Sequence, residues 1–205
     1  MAAATEAHPC LQELTVDSPL RGWLSAIPSL PALSILHLYL NPAFLRGEPV
    51  DRTDASTTMS QVLLVCGCLT HCRCLWHLGL TVPSEELLHA PELLAAVGAA
   101  IGGRLQSLSL CYPQLPPARD AAARVMHTVV ACFPRMEELS LQMCLWEATS
   151  GAKALLLREL LRALPTLAPL CPALRQVRVG GDTVQLQRRP DGSVAAVKLA
   201  KSCFD

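Results

Sequence analysis

Lysine and asparagine are almost missing from this 205-residue sequence, which holds three Lys and one Asn. Neither sign of charge is in excess. Seventeen Lys and Arg stand against seventeen Asp and Glu, so the formal net charge is zero. A chain with no surplus of positive charge lacks the footprint of broad nucleic-acid or anionic-membrane binding. Aromatic residues make up only 4%. Long apolar runs are also missing. The longest, residues 62–69 and 93–101, fall well short of the roughly 18 to 20 residues that span a bilayer. No phosphate loop is present, because Gly102-Gly103-Arg104 and Gly180-Gly181-Asp182 lack both the spacing and the lysine. They read as a helix stop and a turn. The single Asn, Asn41, is followed by Pro42-Ala43 and so forms no glycosylation sequon. The opening Met1-Ala-Ala-Ala-Thr-Glu-Ala-His has no charged region followed by an apolar one. The expectation is a chain without a secretory leader, located inside the cell in cytoplasm or nucleus.

What the sequence has is leucine, 38 residues of 205, within a composition that is 51% apolar and 17% charged. That is enough apolar surface for a real core and excludes a disordered chain. Ten cysteines in a long, leucine-rich chain read as reduced thiols, most of them small hydrophobes inside apolar runs.

A short pattern recurs: apolar, two residues, apolar, one residue, apolar. It occurs at Leu11, Leu14, Val16, then at Leu33, Leu36, Leu38, and again at Leu75, Leu78, Leu80. It returns at Leu105, Leu108, Leu110, at Met136, Leu139, Leu141 and at Leu174, Val177, Val179. The last two positions of each copy are two apart and share one face of a strand. Helix-like spacing fills the intervals at residues 56–69, 84–101, 117–132 and 150–164, with a short stretch at 20–27. Strand and helix alternating at spacings of 22 to 42 residues predict a stacked solenoid or a βαβ sheet, and the short strand motif, with no Gly-rich turn after any strand, favours the solenoid.

Two copies carry a longer signature, Leu33-Ser-Ile-Leu36-His-Leu38-Tyr-Leu-Asn41 and Met136-Glu-Glu-Leu139-Ser-Leu141-Gln-Met-Cys144. Three share a lead-in: Leu30-Pro31-Ala-Leu33, Phe133-Pro134-Arg-Met136 and Cys171-Pro172-Ala-Leu174. On these residues the chain resembles leucine-rich repeat proteins of the ribonuclease-inhibitor-like, F-box-associated kind. The resemblance implies an α/β solenoid with a curved parallel sheet and helices on its convex side. About six irregular repeats would occupy residues 1–180. Residues 181–205 would form a C-terminal antiparallel hairpin cap and tail, because Val184–Arg188 and Val194–Leu199 flank Pro190-Asp191-Gly192. The first motif already begins at Leu11, so its edge is expected to be covered by another segment or a neighbour.

Few residue groups point to chemistry. Cys66, Cys68, His71, Cys72 and Cys74 lie within nine residues and could be zinc ligands. Zinc fingers, however, separate two ligand pairs by a longer loop, and the thiols read better as core. Arg188-Arg189 near Lys198 and Lys201 makes a small basic patch, too small for nucleic acid. His37, His77 and the nearby glutamates lie at outward strand positions with no nucleophile in the pattern. The expectation is a protein that is not an enzyme, with no cofactor, bound metal or small-molecule substrate.

The outward positions are the informative ones, since in a solenoid they align into one interaction surface. Across that surface His37, Tyr39, Trp76, His77, Glu137, Glu138, Arg175 and Arg178 form the expected partner-binding set. Tyr39 and Trp76 are two of only eight aromatic residues. Such residues anchor protein partners, although Trp76 could equally pack beneath the insertion at 41–59. The Glu137–Glu138 end would be acidic and the Arg175–Arg178 end basic, and a partner of opposite polarity would dock in one register. The function expected is non-enzymatic binding of a protein partner, with substrate recognition for a ubiquitin ligase implied by the resemblance. The rival is a structural subunit of a larger assembly.

Overall fold

Six copies of one motif become six parallel strands in one register. A computed structural model describes residues 10–17, 30–39, 63, 65–81, 90–112, 119–143, 150–179, 182–191 and 193–200. The strands are β1 (Glu13–Asp17), β2 (Ile35–Tyr39), β3 (His77–Thr81), β4 (Ser107–Tyr112), β5 (Glu138–Met143), β6 (Gln176–Val179), β7 (Asp182–Arg188) and β8 (Val194–Ala200). They form one eight-stranded sheet in sequence order. β1 to β6 pair in parallel, and β6, β7 and β8 pair antiparallel. The fold is therefore α/β with a mostly parallel sheet. It ends in the antiparallel hairpin expected near residues 184–199, and the sheet runs on without a break past Val179.

The register follows the motif. Leu14, Leu36, Leu78, Leu108, Leu139 and Val177 form one cross-strand row, and Val16, Leu38, Leu80, Leu110, Leu141 and Val179 the next. A slip of one residue would turn every one of these side chains toward the opposite face. From β2 to β6 both rows are buried. The first motif residue is buried too, at Leu33, Leu75, Leu105, Met136 and Leu174. Each such leucine contributes roughly 1.5–3 kcal/mol by leaving water.

One hydrogen-bond device repeats at the entry to each strand from β2 to β6. The Gln12 carbonyl accepts from both Ser34 N and Ile35 N at 2.9 Å. Ser34 O does the same for Trp76 and His77, Trp76 O for Gln106 and Ser107, Gln106 O for Glu137 and Glu138, and Glu137 O for Arg175 and Gln176. A carbonyl has two lone pairs, and here each serves one donor of the next unit. The lead-in supplies a tight turn just before this point: Leu33 N donates to Leu30 O, Met136 N to Phe133 O and Leu174 N to Cys171 O, at 3.0–3.2 Å.

Helices close the apolar face. α1 (Ala90–Ile101), α2 (Arg119–Cys132) and α3 (Ser150–Leu167) follow β3, β4 and β5, and a 3-10 turn at Ala168–Leu170 follows α3. Leu93, Leu94, Val97 and Ile101 of α1, Val125, Met126, Val129 and Val130 of α2, and Leu160, Leu164 and Leu167 of α3 join the strand leucines in one core. Their spacing of three and four residues makes one stripe per helix. Residues 65–69 are also helical. The stretch at 20–27, the first part of 56–69, residues 84–89, the insertion at 41–59 and the tail beyond Ala200 lie outside the described residues.

α3 runs three residues past the expected end at Leu164, through Pro165. Proline removes one helical donor. Leu164 and Leu167 are buried on either side of it, and their packing holds the last turn despite that loss. The hairpin is tied back by Arg188, whose Nη2 donates to Cys171 O at 2.7 Å and Leu174 O at 3.3 Å. Its turn is fastened by Asp191, whose Oδ1 accepts from Ser193 N at 2.9 Å and Ser193 Oγ at 2.6 Å.

Candidate functional site

The outward face is built from positions that alternate with the buried leucines. Glu13, Ile35, His77, Ser107, Glu138 and Gln176 share one cross-strand row, and Thr15, His37, Gly79, Ser109, Ser140 and Arg178 share the next. Neighbouring strands are about 4.8 Å apart, so side chains within a row touch.

Large residues on β2–β3 and on β5–β6 flank small ones on β4. The result is an open depression of about 200 Å³ lined by His37, Trp76, His77, Ser107, Ser109, Glu138, Ser140, Gln142 and Arg178, with Leu139 beneath. Five of the eight expected partner-binding residues meet here: His37, Trp76, His77, Glu138 and Arg178. Tyr39 lies on the same strand as His37, in register with Thr81. Glu137 and Arg175 lie outside the depression and face each other, with Oε2 and Nε 3.8 Å apart. Ser107, Ser109, Ser140 and Gln142 were absent from the expected set. Small hydroxyls send no signal along one strand. Only the cross-strand rows reveal that they form a floor between two high walls.

The imidazoles form a chain across the strands. Glu13 Oε1 lies 3.9 Å from His37 Nε2. The His37 and His77 rings are 5.1 Å apart and tilted, and Trp76 meets His77 edge-on at 5.8 Å. His77 Nδ1 is hydrogen-bonded to Ser107 Oγ at 2.8 Å. Gly79 makes this possible, because a Cβ there would lie 2.3 Å from His37 Nδ1. The His37 ring occupies the space that a side chain would need.

Ser107 next to an imidazole invites comparison with a nucleophile and its base. However, Ser107 is buried, and its own N–H donates to Trp76 O at 2.9 Å. That N–H is not free to hold an oxyanion. The pair is a hydrogen bond that links β3 and β4.

Burial holds His77 below the usual histidine range, and the neighbouring His37 acts in the same direction, while Glu138 and Glu13 oppose them. Arg178 on β6 is the other charged group lining this depression, and β4 supplies only hydroxyls. The unfolded chain therefore takes up a proton near pH 6.5 that the folded chain resists. Stability is expected to fall as pH drops from neutrality through about 6.5, and to level off below the folded value. His77→Gln keeps a partner for Ser107 and removes the titration. Thermal unfolding across this range should show a shallower pH slope for the variant than for the parent, and equal slopes would refute the assignment.

The polarity expected along the face is corrected. The acidic and basic pairs are not opposite ends. They sit on adjacent strands, where Glu138 Oε2 and Arg178 Nη2 are 4.0 Å apart and Glu137 pairs with Arg175 as above.

The cysteine cluster also has another explanation. Cys66 and Cys72 are buried, Cys68 is half-buried and Cys74 is exposed. Burial pushes the Cys66, Cys68 and Cys72 thiols up. His71 Nδ1 is engaged at the end of the short helix, 3.3 Å from Gly67 O and 3.2 Å from Thr70 Oγ1. Among the described residues, no three His, Cys, Asp or Glu side chains are disposed to hold a metal ion. Among the described residues, Cys111 on β4 departs from the reduced state expected of the cysteines: it is disulfide-bonded.

Among the described residues, no helix is long and apolar enough to cross a membrane. No protein-family model matches the chain, and no curated protein matches it significantly.

Proposed function

We propose that this chain is a leucine-rich repeat solenoid that binds a protein partner on its outward sheet face and performs no chemistry of its own. One observation carries the reading. Trp76 is 41% exposed beside a serine-floored depression with room for a guest side chain. A large aromatic at the rim of a pocket is the usual anchor of a protein interface. A six-strand parallel sheet holds it rigidly, so little ordering entropy opposes binding. In the F-box-associated setting implied by the resemblance, the partner is a protein delivered for ubiquitination.

The test is a pair of affinity purifications from the native host. One bait is the intact chain. The other carries Tyr39→Ala, Trp76→Ala, Glu138→Lys and Arg178→Glu, after circular dichroism shows that it folds. A defined partner recovered by the first and lost by the second is the expected result. Identical recoveries would remove the sheet face as the binding surface.

A further inference from the structure

We infer that the depression receives a cationic side chain, the arginine or lysine of a basic peptide segment, with its head on Glu138 and its stem against Trp76. This rests on the reading of the sheet face as a docking surface and specifies what that surface receives.

The first support is the state of Glu138. Its side chain is 49% exposed, and its ion pair with Arg178 is 4.0 Å long, beyond hydrogen-bond range. A carboxylate can accept about four hydrogen bonds, so Glu138 retains the capacity for a charged donor. Arg178 is held elsewhere. With the Gln176 amide oriented toward it, the amide oxygen accepts from Arg178 Nε at 2.5 Å and Nη2 at 2.8 Å. Two of its three guanidinium nitrogens are thus engaged within β6, and an anionic guest would meet Glu138 beside it.

The second support is the opposite wall. The Trp76 ring is partly open to solvent and set edge-on to His77. An indole face attracts a cation within about 6 Å. Burial and His37 keep His77 from adding a positive charge there.

The third is the floor and the balance of charge. Ser109 and Ser140 hydroxyls line the space without filling it. On the described outward side chains, Glu13, Glu137 and Glu138 outnumber Arg175 and Arg178. A surplus of carboxylate favours a cationic partner and speeds its encounter at low salt.

The probe is a random peptide library displayed against the full chain. Selected peptides are then synthesised with a fluorophore and titrated by polarisation. Enrichment of Arg or Lys is expected, as is weaker binding at high salt. Glu138→Gln should weaken binding about tenfold or more, the scale of one charge-assisted hydrogen bond. Ser140→Lys keeps the carboxylate but adds a competing ammonium, and should weaken binding similarly. Both positions are at the surface, and unchanged melting temperatures verify that folding is intact. Peptides without enriched cations, binding indifferent to both substitutions, or a library with no binder would each overturn the inference. If Trp76→Ala alone abolishes binding, the docking face stands and the cation falls. If none of the three substitutions matters, both fall.

Discussion

Phe133→Ala should lower stability by about 3–5 kcal/mol, the cost of emptying a fully buried aromatic site. Phe133 is completely buried and heads the largest buried side chains of the described residues. It joins three parts of the fold. Its N–H closes the end of α2 on Val129 O at 3.0 Å, and its carbonyl accepts from Met136 N at 3.1 Å in the turn into β5. The same carbonyl accepts from the buried Cys171 thiol of the next unit at 3.4 Å. The alanine variant keeps these backbone bonds but leaves a void between α2 and the sheet, where the neighbours are already packed. At roughly 2–4 °C per kcal/mol for a chain of this size, the melting temperature should drop by about 10 °C. Phe133→Leu retains most of the apolar volume and should cost roughly 1 kcal/mol. Chemical denaturation measures both. A loss below 1 kcal/mol for alanine would show that the unit does not depend on this side chain.

The same residue illustrates how much of the fold the sequence carries. Phe133-Pro134-Arg-Met136 marks a turn and a strand entry because a buried residue three places before another fixes both ends of the turn. The strand that follows has period-two alternation, which assigns every residue to a face. Six repeats of that pattern determine the register as well, including the rows of Leu108 and Leu110. Helix ends were less legible. Pro165 marks a stop in sequence terms, yet burial of Leu167 carries α3 past it. Tertiary packing outweighed a local preference, and no window of sequence contains that information.

Legibility of the site divides along a similar line. His37, Trp76, His77, Glu138 and Arg178 stood out as large groups at outward positions. Their convergence depends on Ser107 and Ser109 being small, a property of three strands read side by side. The expected acidic end and basic end are neighbours, since Glu138 and Arg178 sit on adjacent strands. Forty residues in sequence amount to a single strand spacing when a helix carries the chain away and back. The cysteine cluster was the reverse case. Its residues are close in sequence, but the end of a helix points them in different directions, toward core and solvent.

Gly102 gives the second large effect, and its sign is opposite to that usually seen for glycine. Gly67→Ala is the useful contrast. Gly67 is helical, and a Cβ there would meet nothing within 4 Å among the described residues. That change should stabilise by about 0.5–1 kcal/mol, since alanine loses less backbone entropy on folding. At Gly102 a Cβ would lie 2.0 Å from Cys132 O and 2.5 Å from Gly98 O. Both are backbone atoms and cannot rotate away. Gly98 is similarly tight, with Cys132 Cβ 2.5 Å from its ideal Cβ position. The end of α1 therefore packs against the end of α2 with no side chain between them, and this close approach lets Ile101 and Phe133 share one core. Gly102→Val must push the two helices apart, which should cost about 3 kcal/mol or more, the upper range for overpacking. Gly102→Ala should cost less, but the entropy gain of alanine is too small to reverse the sign. Thermal denaturation of Gly67→Ala, Gly102→Ala and Gly102→Val should place the three variants in that order of decreasing stability, with the parent between the first and second. A Gly102→Ala variant as stable as the parent would show that α1 and α2 can separate at no cost, and the close helix contact would then not be part of what holds the sheet covered.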